Sequence, residues 1–103
     1  MSVPAPAPGG GVVLRVPRAL AADVHGEREL VLEVPAEGTL AGLLDALRLT
    51  HPLLERRVRD ETGALRRFVN VYVDGLDVRH GDGLASPLRG GQAVEVIQSV
   101  AGG

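Results

Sequence analysis

The sequence predicts an α+β fold: a mixed sheet of four to five strands with one main amphipathic helix on one face. Three observations predict it. Short runs of alternating or β-branched residues are each stopped by proline or a turn dipeptide, a single stripe of leucines falls at helical spacing, and the order is strand, strand, helix, then three strands.

Residues 1–11 are rich in proline, alanine and glycine, with Pro4, Pro6 and Pro8, and read as a flexible arm rather than a packed element. Val12-Val13-Leu14-Arg15-Val16 alternates well enough for a first strand, and Pro17, which lacks an N–H, ends it. Arg18 to Arg28 reads as a loop. Glu29 to Val34 is a second strand with Leu30, Leu32 and Val34 on one face and Glu29 and Glu33 on the other; Pro35 stops it. Thr39 is the expected N-cap of a helix in which Leu40, Leu43, Leu44 and Leu47 share a face. That helix ends near Thr50-His51, because Pro52 disfavours helical geometry in the residue before it. Pro52 itself suits the first position of a second, short helical piece carrying Leu54 and Val58. Asp60-Glu61-Thr62-Gly63 is a turn.

Arg67-Phe68-Val69-Asn70-Val71-Tyr72-Val73 is the strongest strand signal, and Asp74-Gly75 closes it with a tight hairpin. Leu76-Asp77-Val78 is a short returning strand. Gly81, Gly83, Pro87, Gly90 and Gly91 mark an irregular connection to the last strand, Ala93 to Gln98. The folded domain is thus expected over residues 12–98, with 99–103 as a flexible tail. With Val69, Val71, Val73, Val94 and Val96 under the helix, alternation turns Phe68, Tyr72 and Ile97 to the opposite face. One helix cannot cover both sides of a sheet, so Phe68, Tyr72 and Ile97 are expected to form a partner docking face.

Composition narrows the chemistry. Thirteen acidic residues against 11 basic ones give a net charge of -2, and Phe68 and Tyr72 are the only aromatic residues, so neither a phosphate-tracking nor a base-stacking surface is expected. No nucleic-acid partner is expected. No segment approaches the roughly 20 apolar residues of a membrane span, and the N-terminus lacks the apolar core of a signal peptide. A cytoplasmic protein with no membrane partner, monomeric when free, is the simplest expectation. There is no cysteine, hence no disulfide, thiolate metal site or cysteine nucleophile. All 11 basic residues are arginine, so an activated C-terminus meets no ε-amine of its own chain. His25, His51 and His80 show no ligand spacing, so no metal site is expected, and no catalytic triad can be assembled from the sequence. The Arg56-Arg57, Arg59 and Arg66-Arg67 group reads either as a solvated face or as a basic patch for an acidic partner.

What remains is the last stretch. A strand-like alternation through Ile97 runs into Val100-Ala101-Gly102-Gly103, and paired glycines without Cβ atoms can thread a narrow enzyme tunnel and present a bare carboxylate. Together with Phe68 to Gly75, Asp77-Val78-Arg79, Leu84, the Gly90-Gly91 turn and the strand Val94 to Ile97, this tail resembles the ubiquitin-like β-grasp sulfur carriers. These are the family of the molybdopterin synthase small subunit and the thiamine sulfur carrier, and within it the chain is most similar to the actinobacterial carriers for cysteine biosynthesis. The resemblance covers about residues 12–103 and departs from the common pattern at Gln92, where many members have Asp, and at Gln98, where proline is common.

The resemblance implies a β-grasp fold and a protein cosubstrate rather than an enzyme. It implies that an ATP-dependent, ubiquitin-activating-like adenylating enzyme converts the Gly103 carboxylate to an acyl-adenylate, which a sulfur donor turns into a thiocarboxylate. Val100, Ala101 and Gly102 would lie in the partner's tunnel, and a sulfur-accepting synthase would be the second partner. No cofactor would be held stably by the chain itself, since the activating partner uses the ATP. The resemblance leaves two other roles open: the small subunit of molybdopterin synthase, and a ubiquitin-like protein modifier.

Overall fold

The computed structural model describes residues 11 to 24 and 26 to 99. Its strands are β1 (Val12–Arg15), β2 (Glu29–Leu32), β3 (Val69–Val73), β4 (Leu76–Asp77) and β5 (Ala93–Gln98). They form a five-stranded mixed sheet in the spatial order β2-β1-β5-β3-β4. Only β1 and β5 run parallel; β1 with β2, β3 with β5 and β3 with β4 are antiparallel. The last strand in sequence therefore lies in the middle of the sheet.

Among the described residues three α-helices accompany the sheet: α1 (Arg18–Ala21), α2 (Leu40–Thr50) and α3 (Pro52–Val58). Thr39 starts α2 as expected, its side-chain oxygen accepting the Gly42 amide at 3.2 Å. Leu40, Leu43, Leu44 and Leu47 lie at 1% exposure or less. Facing them, Val12, Leu14, Val69, Val71, Val94 and Val96 are all at 2% or less. Each such side chain contributes on the order of 1.5–3 kcal/mol through burial, and the helix stripe and the inner strand faces together make one core. Pro52 starts α3, which buries Leu54 and Val58.

The structure corrects several boundaries. The segment expected as a loop, Arg18 to Arg28, contains α1 and a following 3-10 turn that bury Leu20, Ala21 and Val24. A helix of four residues is shorter than two turns and leaves no periodicity to detect. Strand β1 stops at Arg15, β2 stops at Leu32, β3 starts at Val69 with Arg67-Phe68 in a turn before it, and β4 ends at Asp77 as Val78 enters a 3-10 turn. Val34 still packs half-buried against the core beyond the end of its strand.

At the β3–β4 hairpin Asp74 and Gly75 take φ of 47° and 85°, the left-handed pair that matches the twist of a two-residue hairpin. The Asp74 carboxylate also accepts the Ala93 amide at 2.9 Å and the Gln92 side-chain amide at 3.1 Å. Gln92 Oε1 in turn accepts the Arg89 amide at 2.8 Å. Gln92 thus bridges the hairpin to the turn that leads into β5, a link that needs both a donor and an acceptor on one side chain. Among the described residues no helix is long and apolar enough to cross a membrane.

Candidate functional site at the root of the C-terminal tail

Strand β5 carries the chain toward its last residues while hydrogen-bonded on both sides, to β1 and to β3. Gln98 is opposite Val69 in that register, and the attachment continues one residue further, where the Ser99 amide donates to the Phe68 carbonyl at 2.7 Å. Asn70 Nδ2 donates to Ser99 Oγ at 3.1 Å, and its Oδ1 accepts from the Arg79 guanidinium at 2.7 Å. Arg79 also donates to the main-chain carbonyls of Val69 at 2.5 Å and Arg66 at 2.7 Å. The sequence alone assigns no task to Asn70, Arg79 or Ser99. Asn70 carried a usable signal as the single polar amide in the run Val69 to Val73; what it binds depends on the β3–β5 register, which no local pattern encodes.

Gly103, the residue expected to be modified, lies outside the described residues, as do Val100, Ala101 and Gly102. The proline-rich arm through Gly10 and His25 also lie outside them. Of the three expected docking residues, Tyr72 and Ile97 share the sheet face away from α2. Tyr72 is opposite Glu95 and Ile97 is opposite Asn70 in the β3–β5 register, while Val71 and Val96 point into the core. Ile97 is 39% exposed and Tyr72 is half-buried. The same outer face carries Val31, 57% exposed, and the Arg15–Glu29 ion pair at 2.8 Å. Phe68, 41% exposed, lies before β3 and lines a different depression, with Arg56, Arg57, Arg66, Arg67 and Gln98. The tail root therefore stands between two surfaces: the outer sheet face at Ile97 and the arginine-lined depression at Phe68.

The arginine group is not one patch. Arg59 is 5% exposed and turns inward, its Nε donating to Glu55 at 2.8 Å and its terminal nitrogen to Asp45 at 2.8 Å. Burial opposes its charge, but the hydrogen bonds to Asp45 and Glu55 and their charges outweigh it, holding the guanidinium above its ordinary value. Spacing alone missed this pairing, although Glu55 and Arg59 stand at i and i+4 at the end of a helix. His51 bonds to the Thr50 hydroxyl at 2.9 Å, and among the described residues no group of His, Asp and Glu could hold a metal ion.

Known proteins share both the sequence and this architecture. The chain is 34% identical over 95 residues to the sulfur carrier protein CysO of Mycobacterium tuberculosis, covering 89% of this chain and 98% of that protein. It is 33% identical over 81 residues to small archaeal modifier protein 3 of Haloferax volcanii, covering 79% of this chain and 87% of the relative. Among solved structures, the BexX/CysO complex of Amycolatopsis orientalis contains a chain that superimposes with a TM-score of 0.72 at 31% identity, over 89% of this chain and 99% of that one. These relatives are small protein sulfur carriers and modifiers. The ThiS family model matches residues 19–103, from the α1 turn through the Gly-Gly pair, and the chain belongs to that family of ubiquitin-like β-grasp sulfur carriers.

Proposed function

We propose that this chain is a sulfur carrier whose Gly103 carboxylate is adenylated and then converted to a thiocarboxylate that donates sulfur in the biosynthesis of cysteine or another sulfur-containing metabolite. The observation that supports it is the sequence Val100-Ala101-Gly102-Gly103 following a strand pinned through Ser99, in a chain of the ThiS family. A carboxylate is a poor electrophile, which is why ATP enters. A carboxylate oxygen attacks the α-phosphorus of ATP and displaces pyrophosphate. Hydrosulfide then attacks the acyl carbon, the bond to AMP breaks, and loss of a proton leaves the thiocarboxylate anion. ATP and the residues that act on it belong to the adenylating partner, and a sulfur-accepting synthase completes the cycle. The carrier contributes the reacting carboxylate, a narrow tail and a folded surface for docking, with Phe68, Tyr72 and Ile97 as the apolar contacts. The BexX/CysO complex supports an association of this general kind.

Intact-protein mass spectrometry after incubation with ATP, sulfide and an adenylating enzyme of the same organism tests the reading. An oxygen-to-sulfur mass change confined to Gly103 is expected, and appending one residue after Gly103 should abolish it while leaving the thermal transition unchanged. Sulfur carried by the extended variant without trimming would refute the proposal. The similarity to a small archaeal modifier protein favours a second reading, conjugation to lysines of other proteins. Gly103-derived isopeptides in digested cell extract would support it.

A further inference from the structure

The depression beside the tail root holds about 580 Å³ and is lined by Arg56, Arg57, Arg66, Arg67, Phe68 and Gln98, with no carboxylate among its lining residues. The chain as a whole carries a net charge of -2, so this is a local concentration of positive charge on a weakly acidic molecule. Among the described residues, Arg56 and Arg67 make no side-chain ion pair, and both are exposed. Arg66 is held in place, its Nε donating to the Arg56 carbonyl at 2.7 Å, and its own carbonyl is gripped by Arg79. Phe68 adds an apolar surface to the same lining. Its carbonyl accepts the Ser99 amide, so Ser99, the last described residue, is bonded to the rim of this depression.

We infer that this arginine-lined depression binds an acidic segment of the protein that receives the tail. The inference rests on the carrier reading for the identity of that protein and on the depression's own chemistry for the acidic segment. Guanidinium forks match carboxylates bidentately, and a partner that draws in Val100 to Gly103 must approach the rim on which Gln98 and Phe68 stand. Nucleic acid is the less favoured occupant, because Phe68 is the only aromatic residue in the lining and the charge does not extend along a stripe.

Two experiments decide it separately from the carrier reading. The first titrates 15N-labelled carrier with a synthetic Asp/Glu-rich peptide containing one central leucine. Chemical-shift changes should centre on Arg56, Phe68, Val69 and Gln98, weaken with added salt, and vanish in Arg56→Glu/Arg67→Glu. They should persist in Arg18→Glu/Arg89→Glu, which changes net charge equally at other exposed positions. Shifts that centre elsewhere, survive the groove reversal, or are matched by tighter binding of a single-stranded oligonucleotide at the same residues would overturn the inference. The second experiment measures AMP formation by the adenylating enzyme. The groove reversal should raise KM for the carrier on the order of tenfold with kcat little changed, as expected for a docking charge outside the chemistry. An unchanged KM would overturn the inference while leaving the carrier reading intact. Failure of the wild-type carrier to react would defeat the carrier reading, with the peptide titration still judging the depression.

Discussion

Replacing Arg59 by methionine should unfold this domain at a much lower temperature, and the cost can be apportioned. Arg59 and Glu55 are each 5% exposed and are joined by a 2.8 Å bond, so deleting the guanidinium strands a carboxylate in the interior. Breaking a buried pair in this way costs about 3–5 kcal/mol. The second arm adds little. The Asp45 side chain is 63% exposed, and water replaces its partner, a loss of about 0–1 kcal/mol. Taking about 3 kcal/mol and roughly 4–8 °C per kcal/mol for a domain near this size, Tm should fall by roughly 12–24 °C. Asp45→Asn should lower it by no more than about 8 °C on the same scale. The double variant Glu55→Leu/Arg59→Met should recover most of the loss, because no uncompensated charge is then buried. Circular-dichroism melting of these three variants, of Glu55→Leu alone and of the wild type completes the cycle. If Arg59→Met melts within about 4 °C of wild type, or the double variant is the sum of its parts, the assignment of Arg59 as a buried counter-ion is wrong.

Other elements give sharper local tests. A Cβ on Gly42 would lie 2.5 Å from Glu37 Oε1 and 3.0 Å from Pro35 Cβ, so Gly42→Val should cost about 1–3 kcal/mol by urea denaturation despite removing a helical glycine. Gly75→Ala places a Cβ at φ 85° in the hairpin and should cost about 1 kcal/mol, with accelerated exchange of the Leu76 amide, which faces Val73 in the closing pair. Asp60 accepts the Thr62 hydroxyl at 2.5 Å, the Thr62 amide at 2.8 Å and the Ala64 amide at 3.3 Å, bonds that hold its carboxyl below the usual range. A depressed carboxyl contributes stability that is full above its unfolded value and lost as pH falls through the folded one. The Thr62 and Ala64 amides should therefore keep their exchange protection through mildly acidic pH and lose it only in stronger acid, while Asp60→Ala removes it throughout.

The strand segments, the leucine helix, its threonine cap and the Asp-Gly hairpin were legible in the sequence because each is set by residues a few positions apart, whereas the pairing of β1 and β3 with β5 joins distant segments. Alternation placed Val94 and Val96 inward and Ile97 outward correctly, since period two carries over any strand whose register holds. Phe68 shows the limit of that rule. It belongs to a turn before β3, so extending the alternation one residue too far put it on a face with Tyr72, whereas it lines the arginine depression. Arg59 was misplaced for a different reason. Its neighbours Arg56 and Arg57 remain on the surface of α3, and it lies at the C-terminal cap, where the backbone leaves helical geometry with φ -119° and ψ 149°. That change of direction aims the side chain back at Glu55 and Asp45, and nothing in a run of arginines announces it.

Placing the tail on β5 has a mechanical consequence. An edge strand can peel from a sheet by losing one ladder, but β5 is held by β1 along Ala93 to Glu95 and by β3 along Val94 to Gln98. The Asp74 and Gln92 bonds fix its beginning, and Asn70 with the Phe68 carbonyl fixes Ser99 beyond its end. Tension on the last residues therefore meets a strand that is bonded on both sides. Asn70→Ala tests whether the Ser99 anchor matters. It should accelerate Ser99 amide exchange several-fold while leaving the Val96 amide, deep in the ladder, protected as before. Equal acceleration at both sites would mean that β5 opens as a unit and that the anchor does not hold the tail root independently of the sheet.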